Sequence, residues 1–284
     1  MTDTDSQPIS PCEIEAWRGH IGRQDTRRQR LDVESLRRFA AAQGAGMDVE
    51  RQPPPLAHWA YFLETVGPES IGPDGHPKRG GLLPPVSLPR RMFAAATMTF
   101  PQPLILDAEA ELTLTVTDVK HRTGKTGDLV FVEVDRRIAQ EGRERLTEHQ
   151  TIVYRGLGEP VAPITPIAPP PHGDAQVWTP GPTDLFRFSA VTFNSHRIHY
   201  DAPYAIREEG YPGLVVHGPF TAARLYALAQ ARAGKPIRRF EFRATAPLFA
   251  GQPIYLAPGA RTGEVQAIRC DGAVSMIARA EFET

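Results

Sequence analysis

The chain has 284 residues, of which 41% are hydrophobic, so it is long enough to bury the core of one large domain or of two ordinary ones. Thirty-two Lys and Arg residues oppose 33 Asp and Glu residues, giving a formal net charge of -1. This balance argues against nucleic acid or an anionic membrane as the partner and favours a small molecule. The two cysteines, Cys12 and Cys270, fit no metal-binding spacing and indicate a reducing compartment.

The N-terminal segment MTDTDSQPIS has neither the basic start nor the apolar centre of a signal peptide. The chain also contains no apolar run long enough to span a bilayer. We therefore expect a cytoplasmic protein without a membrane or nucleic-acid partner.

The first half begins with a basic stretch and then a helix. Arginines recur at 23, 27, 28 and 30, but Asp25 and Asp32 dilute them, so a solvated face at the helix entry is expected, with phosphate binding as the alternative. The sequence VESLRRFAAAQ predicts a helix over 33–43. A Pro- and Gly-rich stretch over 52–89 follows, and strands are predicted from residues 111, 128 and 144.

Clustered prolines over 161–174 predict an extended connector between two domains, 1–160 and 175–284, with a long surface loop as the alternative. Beyond it, PFTAARLYALAQARA predicts a buried helix over 219–233, from Pro219 to the stop at Gly234. Strands are predicted from residues 238, 252, 264 and 273, with an Asp271-Gly272 turn before the last. A helix followed by an antiparallel meander thus occurs twice, which predicts an α+β fold of two similar layers.

Reactive side chains are densest over 186–205, just before the second helix. The cluster contains Asn194, His196, Arg197, His199 and Asp201. Shortly afterwards, the sequence VVHGPF places His217 and Gly218 at the helix N-terminus. Unpaired backbone N–H groups there suit an oxygen that becomes negative in a transition state.

These two blocks resemble the signature of the MaoC-type hotdog hydratases, Asp-x-Asn-Pro-Ile-His followed by an apolar run that ends in His-Gly. The match is carried by Ile198-His199, Asp201 and Val216-His217-Gly218. The resemblance implies a hotdog fold, in which an antiparallel sheet wraps around a central helix, and hydration of an enoyl thioester.

The same resemblance implies site roles. His199 would be the base that activates water, and the Gly218 N–H would bind the thioester oxygen. The position of the family's catalytic Asp is occupied by Asn194, whose amide can orient water but cannot donate the proton that the α-carbon needs. Either His199 acts alone as acid and base, or His196 or Asp201 supplies the second catalytic role.

The segments WAYFLE, DGHPKRGGLLPP, LPRRMFAA and EHQTIVYR in the first half are similar to a narrower group. This group is the two-hotdog hydratases, which include the type-2 hydroxyacyl-thioester dehydratases and the mesaconyl-CoA and itaconyl-CoA hydratases. The resemblance implies a double hotdog with a degenerate first domain and a catalytic second domain.

The narrower resemblance also implies an acyl-CoA substrate, most plausibly mesaconyl-CoA with its thioester on carbon 4, or itaconyl-CoA, giving citramalyl-CoA. A free carboxylate on such a substrate needs a fixed cation, and Arg offers a bidentate fork. Arg90 and Arg91, in a Pro-flanked turn, and Arg197 are the candidates. His196 and His217 are further expected substrate contacts.

Several alternatives stay open. A straight-chain 3-hydroxyacyl-thioester dehydratase is the second enzyme candidate, and an inactive acyl-CoA-binding module is the non-enzymatic one. His196, His199 and Asp201, with His217, could instead be metal ligands. We predict neither a metal nor another cofactor, because the thioester supplies the acidity. A monomer and a homodimer are both compatible with the sequence.

Overall fold

A computed structural model describes residues 9–124, 127–167 and 174–283. Ten strands form one antiparallel sheet in the order β1-β3-β4-β5-β2-β7-β10-β9-β8-β6. The strands are β1 (Gln24–Arg30), β2 (Arg90–Thr99), β3 (Glu109–Gly124), β4 (Gly127–Gln140), β5 (Arg143–Arg155), β6 (Gln176–Trp178), β7 (Ile237–Ala244), β8 (Ile254–Pro258), β9 (Glu264–Ile268) and β10 (Val274–Phe282).

Five helices within the described ranges accompany this sheet. They are α1 (Pro11–Arg18), α2 (Val33–Gln43), α3 (Pro182–Val191), α4 (Ala202–Arg207) and α5 (Gly218–Ala233), and short 3-10 helices lie at Ala57–Ala60, Pro68–Ser70 and Arg197–His199. Helix α2 begins at the Asp32 cap, whose side chain accepts the Ser35 N–H at 2.7 Å, and it ends at Gly44. Helix α5 ends at Gly234 with φ of 63°, a left-handed conformation that glycine adopts readily. Both predicted helices are therefore confirmed.

The sheet crosses from one half of the chain to the other through β2 and β7. Their antiparallel register runs from Ala95 opposite Arg243 to Thr99 opposite Arg239. Helix α5 packs against β7, β8, β9 and β10, and α2 packs against α3. The α+β expectation is confirmed, with one continuous sheet shared by the two halves.

Two predictions about arginines are wrong. The basic stretch around Arg27 and Arg28 is an edge strand, β1, whose residues alternate between exposed and partly buried along its pairing with β3. Because the residues of β1 are all polar, the sequence shows no alternation of apolar and polar residues. The alternation with a period of two appears only in the burial of these residues within the sheet. Arg90 and Arg91 do not lie in a turn: they are the first two residues of β2.

Part of the proline-rich connector, residues 168–173, lies outside the described residues. In the described remainder, Val161 donates its N–H to the Gly210 carbonyl at 2.7 Å, and Ile167 donates to the Cys270 carbonyl at 2.9 Å. Among the residues that the structure describes, no helix combines the length and apolar character that a membrane crossing requires.

Candidate active site

The candidate site is a cavity of about 380 Å³ that both halves of the chain line. This volume is within the usual range for small-molecule sites. From the first half come residues of 59–83, together with residues of β2, β4 and β5. From the second half come Phe188, Asn194, Ser195 and Pro219, among others. In the segment 192–199 that follows α3, called the motif loop below, residues 192–195 line the cavity opposite the wall supplied by the other half, and His199 lies behind them.

His199 is buried at the end of the motif loop, with 7% of its surface exposed. Its Nδ1 lies 2.7 Å from the Val215 carbonyl oxygen, which can only accept a hydrogen bond. Nδ1 therefore carries the proton, and Nε2 keeps a free lone pair. Burial, and secondarily the nearby His196, lowers the pKa of His199 to about 3, so the ring is neutral near pH 7 and its Nε2 is unprotonated.

His217 stacks on His199, with 3.6 Å between the ring centroids. It is the N-cap residue of α5, and its Nε2 lies 2.8 Å from the Ser189 hydroxyl. Burial holds its pKa well below the ordinary value, and His199 and His196 add to the effect. A neutral ring packed in this way fixes the orientation of His199. Phe188, whose ring lies 5.0 Å from that of His217 and is tilted relative to it, connects this pair to the cavity wall.

The start of α5 supplies hydrogen-bond donors beside the stacked histidines. Gly218 is the first helical residue and Pro219 the second, and Pro219 lines the cavity. The N–H of a first helical residue has no acceptor within its own helix, and the helix dipole adds partial positive charge there. A Cβ at position 218 would lie 3.6 Å from the Phe93 carbonyl oxygen, an ordinary contact, so packing alone does not require glycine here.

Asn194 lines the cavity, as expected for the position that precedes His199 by five residues. Its side-chain oxygen accepts the His196 N–H at 3.0 Å, and its own N–H donates to the Ser189 carbonyl at 2.8 Å. The amide group is thus oriented with its oxygen turned to the backbone, which leaves its NH₂ as the group available to a ligand.

His196 and Arg90 lie next to each other in a buried polar cluster behind the motif loop. Glu209 joins them: its carboxylate lies 3.3 Å from His196 Nε2 and 3.4 Å from Arg90 Nε. Arg90 also stacks over Tyr211 at 4.9 Å and donates to the Glu209 carbonyl. Neither His196 nor Arg90 lines the cavity, and the guanidinium of Arg90 already has a carboxylate partner.

Arg197 and Asp201 form an ion pair of 2.8 Å near the surface. Asp201 also caps α4 by accepting the Tyr204 N–H at 3.1 Å, and Arg197 stacks over Tyr204 at 4.1 Å. The structure does not bring these two predicted site residues to the cavity. It also separates Asp201 from the histidines, so the set of metal ligands considered from the sequence is not assembled.

Arg91 does line the cavity. It is directly opposite Tyr154 in the register of β2 and β5, and Tyr154 is fully buried on the same wall. Within the described ranges, Arg91 has no carboxylate partner, whereas the cavity arginines Arg27 and Arg136 are paired with Asp25 and Glu148. The fourth cavity arginine, Arg79, also has no carboxylate partner, but its guanidinium donates to three backbone carbonyl oxygens, those of Val86, Leu88 and Pro89. Arg91 is therefore the arginine best placed to bind an anionic group of a ligand.

Sequence reasoning missed His76 and Asp74, which lie in the predicted Pro- and Gly-rich stretch. His76 lines the cavity and its ring packs against His196, with 3.9 Å between centroids. Its Nδ1 donates to the Asp74 carboxylate at 3.0 Å. Ligand atoms of Asp74, His76 and His196 approach within 4.8 Å of one another, but hydrogen bonds to Asp74 and Glu209 already occupy one nitrogen of each histidine. In the sequence, the histidine of Asp-Gly-His could have indicated a site residue, but its contact with the motif loop is visible only in the fold.

Comparison with solved structures supports the fold. The chain matches a MaoC-like dehydratase from Phytophthora capsici with a TM-score of 0.67 at 12% identity, covering 95% of this chain and 98% of that one. It matches HtdX of Mycobacterium tuberculosis with a TM-score of 0.62 at 15% identity, covering 92% and 100%. A further M. tuberculosis protein, described as having a double hotdog fold, matches with a TM-score of 0.53 at 13% identity, covering 92% and 95%. The double hotdog predicted from the sequence is confirmed.

Sequence comparison identifies the family. The chain is 46% identical over 233 residues to the mesaconyl-C(4)-CoA hydratase of Chloroflexus aurantiacus, which covers 81% of this chain and 83% of that protein. It is 33% identical over 126 residues to the mitochondrial type 2 hydroxyacyl-thioester dehydratase of Schizosaccharomyces pombe, covering 43% and 37%. The family model of hydroxyacyl-thioester dehydratase type 2 matches residues 56–250, a span that includes both walls of the cavity. The chain belongs to the hydroxyacyl-thioester dehydratase type 2 family.

Proposed function

We propose that this protein is a hydro-lyase that adds water to the double bond of an enoyl-CoA. The leading substrate is mesaconyl-CoA with its thioester on carbon 4, or itaconyl-CoA, and the product is citramalyl-CoA. The observation that carries the proposal is the neutral His199, whose Nδ1–H is held by Val215 and whose Nε2 is free, beside the N-terminus of α5. Similarity to a mesaconyl-C(4)-CoA hydratase over most of both chains supports the choice of substrate.

The chemistry follows from these groups. His199 Nε2 accepts a proton from water as the water oxygen attacks the β-carbon. Charge that develops on the thioester oxygen is stabilised by the Gly218 N–H at the positive end of α5. Asn194 offers its NH₂ to orient water or substrate. The thioester itself makes the α-carbon acidic, so the proposed reaction uses no metal, nucleotide or flavin.

The free carboxylate of a dicarboxylic substrate would bind Arg91. Two N–H groups of the guanidinium can donate to the two oxygens of one carboxylate, and the neighbouring Tyr154 hydroxyl is a further donor. This hydroxyl lies within reach of the Arg91 guanidinium, from which it can accept while still donating its own proton to a ligand, and burial raises the pKa of Tyr154, which keeps it protonated. A cation and a hydroxyl on one wall favour a substrate with a negative group beyond the thioester.

Loss of the conjugated thioester absorbance with crotonyl-CoA, mesaconyl-CoA and itaconyl-CoA tests the proposal. We expect turnover of at least one dicarboxylic thioester with a kcat/KM well above that for crotonyl-CoA. Preference for crotonyl-CoA would favour a straight-chain 3-hydroxyacyl-thioester dehydratase. Tight binding without turnover of any of the three would favour an acyl-CoA-binding module, which the missing carboxylate at Asn194 makes a real competitor.

The domain organisation and the assembly state are also proposed. We place a degenerate first hotdog at 1–160, the connector at 161–174 and the catalytic hotdog at 175–284. Because β2 and β7 already join the two layers within one chain, a monomer is the simplest assembly, and a homodimer is the alternative. Light scattering of the purified protein decides between them.

A further inference from the structure

The loop that carries Asp74, Gly75 and His76 is fixed directly on the motif loop. Arg197 donates its N–H to the Asp74 carbonyl at 2.9 Å, and the Ser195 hydroxyl donates to the Gly75 carbonyl at 2.5 Å. Gly75 has φ of 89°, and a Cβ there would lie 1.8 Å from the Ser195 carbonyl oxygen. Only glycine permits this approach. These contacts hold His76, which belongs to the first half of the chain, at the part of the cavity that Asn194 also lines.

The hydrogen bonds of His76 determine which of its atoms can exchange a proton. Nδ1–H donates to the Asp74 carboxylate at 3.0 Å, which leaves Nε2 as the exchanging atom. Asp74 is held in turn by the His76 backbone N–H, also at 3.0 Å. The ring lines the cavity and is 17% exposed. A histidine backed by a carboxylate, with its second nitrogen available at a cavity wall, is an arrangement suited to proton transfer.

The proposed reaction needs such a group. Hydration uses a base for the water proton and an acid for the α-carbon. Asn194 stands where the resemblance places a carboxylate, and an amide does not donate a proton to carbon. Of the two histidines, His76 has a carboxylate partner and His199 has only a carbonyl. Of these two histidines, His76 is therefore the one with an anionic partner that can stabilise an imidazolium.

We propose that His76 is the second proton-transfer residue of this active site, that its Nε2 protonates the α-carbon, and that Asp74 is its positioning residue. The inference rests on the proposed hydration. In the forward step, an O–H bond of water breaks and its proton passes to His199 Nε2 while oxygen bonds to the β-carbon. The imidazolium of His76 gives its Nε2 proton to the α-carbon. Proton transfer from His199 back to His76 through water restores the starting state, so the net reaction consumes one water.

Charged and titratable groups from three elements face His76. Burial, and then Arg91 on β2, lowers the pKa of His76 to about 3, with a smaller effect from His196 on the motif loop, whereas Asp74 raises it. A substrate carboxylate bound at Arg91 offsets one of the lowering causes. The Asp74 carboxylate and a substrate carboxylate at Arg91 would then both favour the imidazolium of His76 against the effect of burial.

His76→Asn tests the catalytic role. Loss of a general acid typically lowers turnover by about 10²–10⁴-fold, and we expect a fall in kcat within that range. His121→Asn is the matched control, because His121 also pairs with an aspartate, Asp128 at 2.8 Å, but does not line the cavity. We expect it to keep kcat within twofold. Turnover by a folded His76→Asn protein within threefold of the original would overturn the role.

Asp74→Asn separates proton transfer from a structural role. The variant keeps the shape of the side chain but removes the charge that favours the imidazolium. Because the acid form is required, kcat falls as pH rises, and we expect this falling limb to shift to lower pH in the variant. An equal loss of activity at every pH, with no shift of the limb, would show that Asp74 only supports the loop and would overturn its part in the proposal.

Two further outcomes are distinguishable from these. If the original protein turns over no enoyl-CoA, the proposed hydration fails and this inference fails with it. If the original protein is active and His76→Asn is equally active, only the inference fails. Activity that disappears on treatment with EDTA and returns with zinc would mean that Asp74, His76 and His196 hold a metal, and would also overturn the proton-transfer role.

Discussion

At His199, one hydrogen bond determines which ring nitrogen can act as a base. The Val215 carbonyl fixes the proton on Nδ1, and the stacked His217 fixes the plane of the ring. We expect His199→Ala to lower kcat by about 10²–10⁴-fold, the usual contribution of a general base. His149→Ala, at a half-exposed histidine on the sheet surface, serves as the control and keeps its activity. A His199→Ala protein with native circular dichroism and nearly full turnover would contradict the assignment.

A substitution of Arg91 tests which substrate the site prefers. A charged hydrogen bond contributes about 1.5–3 kcal/mol, which corresponds to roughly ten- to a hundredfold in affinity. We expect Arg91→Gln to raise the KM for the dicarboxylic thioester by that factor and to leave the KM for crotonyl-CoA nearly unchanged. Arg122→Gln, an exposed arginine on β3 that packs over Phe131, controls for a change in net charge. An equal rise in KM for both substrates would instead indicate a contact with the CoA portion.

At the scale of single residues, the sequence was informative where the interacting residues lie in neighbouring segments of the chain. The sequence predicted His217-Gly218 at a helix start and singled out His199 as a site residue; the structure has the helix start there and stacks the two histidine rings. The sequence was not informative where a partner lies far along the chain. Glu209 pairs with Arg90, which is 119 residues away in sequence, and nothing local reveals that this arginine is already neutralised.

At the scale of elements, the loop at 74–76 depends on a backbone contact that only glycine allows. We expect Gly75→Ala to lower the free energy of unfolding by more than the roughly 1–3 kcal/mol that a non-glycine residue costs at positive φ, because its Cβ also meets the Ser195 carbonyl. Gly80→Ala is the matched control: its φ is 101°, but its Cβ would meet only the Pro85 side chain at 3.7 Å. Urea unfolding of both proteins measures the difference. Equal losses would show that the close approach relaxes without cost.

The pairing of β4 and β5 contains a buried carboxylate with consequences for acid stability. Glu148 is 1% exposed and lies 3.3 Å from His58 Nε2 and 3.2 Å from Arg136 Nε, and it accepts the Trp59 indole N–H at 3.1 Å. Burial alone would raise its pKa, but His58 and Arg136 outweigh burial and lower the pKa from 4.5 to about 2.

A carboxyl group with a depressed pKa stabilises the fold above its unfolded-state pKa and loses that contribution as pH falls through the folded value. We therefore expect about 3 kcal/mol of stability to disappear between roughly pH 4.5 and pH 2 through this one group. Glu148→Gln should be less stable at pH 7 and show a weaker dependence on pH in this window. Glu111→Gln, at an exposed ion pair with Arg28, should follow the original protein. If the free energy of unfolding of Glu148→Gln fell with decreasing pH as steeply as that of the original protein, the assignment would be contradicted.

Elements with an apolar period were predictable, and elements without one were not. Helices α2 and α5 and the strands of both meanders have periodic apolar residues that fix the buried face. β1 reads QDTRRQR and becomes a strand only because β3 offers an edge. Its conformation follows from the tertiary partner, as is common for strands, whose preferences depend on context.

At the scale of the whole molecule, the cavity depends on both halves of the chain. Arg91 and His76 come from the first, and Asn194 and Pro219 from the second. The halves also share β2–β7 pairing and the packing of Phe39 on Phe188, with 6.0 Å between ring centroids. Separation would expose an edge strand on each side and remove one wall of the site.

We therefore expect residues 1–160 and 175–284, produced as separate chains, to be inactive alone and to regain turnover when coexpressed. Association is driven by the shared sheet edge, and the recovered kcat should approach that of the intact chain, because none of the connector residues that the structure describes lines the cavity. The measurement is turnover of the best thioester by each chain and by the copurified pair. Activity of 175–284 alone would mean that the second hotdog builds its site without the loop at 74–76. That result would also remove the structural reason for His76 to take part in proton transfer.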